Sequence, residues 1–140
     1  MSANKTLTQN AITFYDFDPN ATTATDVAWV DMRDYSGLTI GYYKTVGTGA
    51  LTSLIVQASA ASNGSSPATV ATKTIASDPD AVGDYVFFEI DEDDIAQALD
   101  GGRYVTATIA LGTGTDEALV TYIRTGAKFA GDGESADTVA

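Results

Sequence analysis

The sequence predicts an all-β fold, an antiparallel β-sandwich or jelly-roll-like barrel with one short helix. Three observations carry that expectation. Apolar and polar residues alternate with period two along most of the chain, the periodicity of a strand with one buried face. The alternating segments are rich in Val, Ile, Thr, Tyr and Phe, side chains that suit a pleated, half-buried surface. They are short and separated by turn residues, the spacing of sandwiches and barrels.

In chain order, strands are expected over 12–17, 27–31, 38–46, 51–59, 69–75, 84–90, 103–111 and 118–124. Gly47-Thr48-Gly49 and Gly112-Thr113-Gly114 each lie between two strand-like runs. Glycine supplies the positive φ that tight reversals need, so each is expected to close a hairpin. Neither is followed by a helix or completes GxGxxG, which argues against a phosphate-cradling loop. The stretch 59–68, rich in Ser, Ala, Gly and Asn, reads as a loop. The helix is expected over 92–99. Asp91 can cap its first turn, Glu92, Asp93 and Asp94 favour the positive end of the helix dipole, Ile95 and Leu99 share a face, and Gly101-Gly102 stop it. Standing between two strands, it would cross from one to the other at the end of a sandwich. The resulting organisation is a flexible N-terminal arm over 1–10, one β-sandwich domain over 11–125 and a flexible tail over 126–140. That tail is small and polar apart from Phe129.

Composition narrows the function classes. The 140 residues include no His and no Cys, the residues that supply most transition-metal sites, most general bases and the strongest nucleophiles. A non-enzymatic protein is expected, with no catalytic residue, cofactor or metal assigned. Seven Lys and Arg against 19 Asp and Glu give a net charge of −12 and a pI near 4.1, which opposes binding to phosphate backbones and anionic lipid. No nucleic-acid and no membrane partner is therefore expected. The opening 1–10 is polar and no apolar run is long enough to span a bilayer, so synthesis in the cytoplasm is expected.

The densest charge feature runs from Asp78 to Asp100, with nine acids and no Lys or Arg. Calcium wants several oxygen ligands, but from Asp91 an EF-hand loop would need an oxygen ligand at Ile95 and a glycine at Ala96. A second stretch, Asp16-Phe17-Asp18-Pro19-Asn20, has Ala21 where the glycine should be and Val27 where the closing Glu should be. Helix capping and a solvated face account for these acids. Without His, an activated serine would need a lysine base, and Lys5, Lys44, Lys73 and Lys128 have no recognisable partner spacing. A pair of carboxylates meeting in space stays open. The aromatics Trp29, Tyr35, Tyr42, Tyr43, Tyr85, Phe87, Phe88, Tyr104 and Tyr122 are either core or a coplanar platform for sugar rings. In 85–90, Val86, Phe88 and Ile90 form one face and Tyr85, Phe87 and Glu89 the other. A strand apolar on both faces is either central between layers or covered by a partner subunit.

The block Val82-Gly83-Asp84-Tyr85-Val86-Phe87-Phe88-Glu89-Ile90 is followed by an acidic helix start, Ile95 and Arg103-Tyr104-Val105-Thr106. Gly112-Thr113-Gly114-Thr115-Asp116-Glu117-Ala118-Leu119-Val120-Thr121-Tyr122-Ile123 continues it, and Trp29-Val30-Asp31-Met32 and Gly47-Thr48-Gly49-Ala50-Leu51 precede it. Together these resemble the capsid decoration, or cement, proteins of tailed bacteriophages. The resemblance spans about residues 12–124 and is one of pattern, without a short diagnostic motif. It implies a β-sandwich on the capsid exterior of a virion, a homo-oligomer with a trimer favoured, bridging neighbouring subunits of the major capsid protein. It brings no catalytic residues. The alternatives are a tail or neck component of the same particle and a carbohydrate-binding β-sandwich module. Trp, Tyr and Arg are over-represented among interface hot spots, so Trp29, Arg33 and Tyr35, with Phe129 in the tail, are the candidate partner interface. The competing expectation for Trp29 is a core anchor.

Overall fold

Short alternating segments can bury their apolar faces only by pairing edge to edge and stacking. The computed structural model describes residues 12–15, 23–25, 29–74, 81–112 and 116–128. Along these run β1 (Ile12–Tyr15), β2 (Thr23–Thr25), β3 (Val30–Asp31), β4 (Tyr35–Val46), β5 (Leu51–Ser59), β6 (Ala68–Thr74), β7 (Tyr85–Asp91), α1 (Glu92–Ala98), β8 (Tyr104–Leu111) and β9 (Glu117–Ala127).

The pairings nest. β5 pairs with β6, β4 with β7, β2 and β3 with β8, and β1 with β9, all antiparallel. That is one long ribbon folded back at the β5–β6 turn. Rolling it up brings β4 against β9 and β5 against β8, giving sheets ordered β1-β9-β4-β7 and β2-β8-β5-β6, with β3 also on β8. An antiparallel ribbon rolled into two facing layers, here of four and five strands, is a jelly roll. The all-β sandwich with one short helix is thus the observed fold.

The two glycine-rich turns are corrected. Each was expected to close a hairpin, but β4 and β5 lie in different sheets, as do β8 and β9, so both connections are arches between the layers. Gly47 has φ +96°, and the arches touch where the Gly112 N–H donates to the Ala50 carbonyl at 2.9 Å. The helix joins β7 to β8, again in different sheets, and is the crossover expected. Asp91 caps it: its carboxylate accepts from the Asp94 N–H at 2.9 Å, and the Asp94 carboxylate accepts from the Asp91 N–H at 3.1 Å. The helix ends at Ala98, with Leu99 as its C-cap.

Other boundaries differ modestly. β2 was not anticipated, and the strand expected over 27–31 is ordered as a strand at Val30–Asp31. β9 runs past 124 to Ala127, opposite Tyr35, so Gly126 and Ala127 extend the sandwich into the segment read as tail. The arm over 1–10 and the tail beyond Lys128 lie outside the described residues.

The core lies between the layers. Leu38, Ile40 and Tyr42 of β4 and Val120 and Tyr122 of β9 face Leu54, Val56 and Ala58 of β5 and Val105, Ala107 and Ile109 of β8. The Tyr122 hydroxyl accepts from the Ala107 N–H at 3.0 Å, joining the two sheets through the core. Fully burying each of the Leu, Ile and Val side chains contributes about 1.5–3 kcal/mol. Ile95 of α1 and Met32 are buried too, at 3% and 5% exposure.

Candidate interaction surface

An edge strand exposes both its outer face and a row of backbone groups. Among the described strands, β7 is the edge of the first sheet. Its inward residues are Val86, Phe88 and Ile90; outward stand Tyr85 and Phe87, 64% and 56% exposed, and exposed Glu89. The partner strand supplies Tyr43, opposite Tyr85 and 45% exposed, and Gly41, opposite Phe87. A Cβ on Gly41 would stand 3.1 Å from the Phe87 ring, so the glycine leaves that ring room to lie on the sheet. Val82, in the turn before β7, is 61% exposed. The result is an aromatic and aliphatic patch on a chain whose net charge is −12. The two faces of this strand are therefore unlike: one packs on the core, the other is open. The Tyr85 and Phe87 rings, 5.6 Å apart between centroids, are tilted by 58°, which does not make the coplanar pair a sugar platform requires.

The residues singled out as candidate interface scatter. Trp29 is half-buried, and its indole ring lies against Gly64 (φ +71°), where a Cβ would meet the ring at 2.0 Å. It packs on the β5–β6 turn. Tyr35 is corrected from a surface residue to a core one: it is 2% exposed and the Arg124 guanidinium stacks on its ring at 4.4 Å. Arg33 is exposed and lies 3.8 Å from the Asp34 carboxylate. Phe129 lies outside the described residues. The patch on β7 was visible in the sequence as a strand aromatic on both faces, but its place at a sheet edge was not.

Arg33 lines a shallow cleft beside α1, with Met32, Ile95, Arg103 and Lys128 among its other walls. Its cations are engaged: Lys128 pairs with Glu92, and Arg103 grips Asp31 with two bonds, Nε to Oδ1 at 2.8 Å and a second guanidinium nitrogen to Oδ2 at 2.5 Å. The Arg103 guanidinium holds the Asp31 carboxyl below its ordinary 3.8, against the opposing effect of burial.

At the arches the sequence reading missed a partnership. Lys44 continues the inward phase of Leu38, Ile40 and Tyr42, and is 0% exposed. Its Nζ lies 3.0 Å from Oδ2 of Asp116, likewise 0% exposed, and donates to the Gly49 carbonyl at 2.5 Å. Gly47 closes over the carboxylate so tightly that a Cβ would fall 1.7 Å from Asp116 Oδ1. Burial, then the Asp116 and Asp84 carboxylates, push the Tyr42 phenol up to about 12, so it keeps its proton. A lysine in the core phase of a strand was the available signal, because a buried charge needs a counter-charge. The partner's identity needed the fold.

Among the described residues, no group of His, Cys, Asp and Glu is placed to hold a metal ion, and no helix is long and apolar enough to cross a membrane. No family model, curated protein or solved structure matches the chain.

Proposed function

We propose that this chain is a structural virion protein, a decoration protein that binds the exterior of a tailed-phage capsid and stabilises it by bridging major capsid protein subunits. It does so as a homo-oligomer, a trimer by preference, and without chemistry of its own. The observation that carries the proposal is the uncharged aromatic patch of Tyr43, Tyr85 and Phe87 on the open edge of the first sheet. Copies of a chain carrying −12 repel one another except where they can meet through an uncharged surface. The patch is such a surface, and a second copy of the chain is its occupant. Linking copies raises effective concentration at a repeating shell, so weak contacts to each capsid subunit suffice. Jelly rolls also serve as lectins and cupins, so the architecture is compatible with this role and does not select it.

The test is the oligomeric state of the full-length protein by light scattering. The wild type is expected to run as an oligomer at micromolar concentration. The double variant Tyr85→Lys/Phe87→Lys is expected to run as a monomer with unchanged far-ultraviolet circular dichroism. A wild type that stays monomeric, or a folded variant that still assembles, would overturn the role given to the patch.

A further inference from the structure

Lys44 and Asp116 form more than a convenient ion pair. Both side chains are fully shielded from solvent, with Nζ 3.0 Å from Oδ2. The neighbours on either side of the pair in its sheet, Tyr42 and Ala118, are each only 1% exposed. Lys44 is opposite Ala118 in the β4–β9 register, and a register shift follows between Lys44 and Val46. Gly47, with its positive φ, leaves no space beyond the carboxylate. Two opposite charges are thus held in contact with no room to separate and no bulk water to solvate them.

We propose that Lys44 and Asp116 join in an intramolecular amide, a covalent cross-link between β4 and the start of β9. Burial penalises both charges, and proton transfer within the pair converts ammonium and carboxylate into a neutral amine and a carboxylic acid. The Nζ lone pair then attacks Cγ of Asp116. The tetrahedral centre collapses with loss of its hydroxyl and a proton from nitrogen as water. One C–N bond forms, one C–O bond breaks, nothing is oxidised or reduced, and no co-reactant is needed. Holding the reacting groups in contact supplies the large effective molarity such a condensation requires.

The surroundings keep the pair dry. The Tyr42 phenol is 1% exposed, and burial followed by the nearby Asp116 and Asp84 carboxylates keeps it protonated. Asp84 flanks Lys44 on the other side: the Lys44 N–H donates to the Asp84 carbonyl at 2.9 Å. It follows the register that pairs Tyr43 with Tyr85, which puts its Cβ on the same sheet face as that of Lys44. Its carboxylate accepts from the Ala81 N–H at 3.1 Å in the exposed turn before β7. The cross-link stands independently of the virion role.

Intact mass spectrometry of the full-length chain, unfolded in acid, tests it. The wild type, with or without Met1, is expected to be lighter than its sequence by one water, and its tryptic digest to contain a branched peptide joining Lys44 to Asp116. Lys44→Arg keeps the cation but removes the primary amine, and is expected at full mass. Succinimides at Asp100-Gly101 or Asp132-Gly133 would also remove water, but would persist in that variant. A wild type at full sequence mass, or a deficit that survives in Lys44→Arg, overturns the amide and leaves a buried ion pair.

Discussion

Lys44 stands where the alternation of β4 calls for an apolar residue, and Asp116 is what makes it tolerable. Removing one member of a buried pair leaves the other charge uncompensated, so Asp116→Ala is expected to destabilise by ~3–5 kcal/mol. The apolar double variant Lys44→Met/Asp116→Leu removes the uncompensated charge but does not restore the cross-link, so it should recover only part of that loss, read from urea unfolding. Asp31 makes a different forecast. Its folded pKa lies below the ordinary 3.8 because Arg103 binds the carboxylate. Its contribution is therefore complete above 3.8 and is lost as the pH falls through the lowered folded value. The melting temperature of Asp31→Asn should lie below that of the wild type at neutral pH, and the gap should close only as both are acidified below about pH 4. A gap constant down to pH 2 would remove the ion pair from the stability account.

At the scale of elements, local chemistry was legible where it was self-contained. Asp91, the acids after it and the paired glycines placed α1 because a cap, a dipole and a stop signal act within a few residues. Asp91→Ala should therefore cost about 0.5–2 kcal/mol, measured by thermal melting. β5 was legible in full, because Leu54, Val56 and Ala58 alternate cleanly into the core. β2 was not: three residues, Thr23–Thr25, are too few to show a period. The arches failed for another reason. Glycine at 47 or 112 reports that the chain turns, but which sheet the next strand joins is decided by pairings far away in sequence, such as Gly41 with Thr121. The arch also makes a testable contrast. Gly47→Ala combines positive φ with a collision against Asp116, while Gly101→Ala has φ +74° and open space around it. The second should cost about 1 kcal/mol or a little more, and the first distinctly more. Equal losses in chemical denaturation would contradict the tight closure over the carboxylate.

For the whole molecule, the sandwich was legible and the surface that uses it only partly so. Tyr85 and Phe87 could be seen to oppose Phe88 in the alternation, but Tyr35, chosen from residue type, turned out to line the core because Arg124 covers its ring. With no His in the chain, no side chain has an ordinary pKa between about 5 and 8. Self-association should therefore change little across that range. Because the copies share a charge of −12, screening should favour assembly, and light scattering should show more oligomer at 300 mM than at 10 mM salt, as the screening length falls from about 30 Å to roughly 6 Å. The central proposal is a repeated place on a shell, and it is tested most directly by quantitative mass spectrometry of gradient-purified tailed-phage particles whose genome encodes this chain. About one copy per major capsid protein subunit is the result expected; a handful of copies per particle would move the chain to the tail or neck, and none would contradict the account.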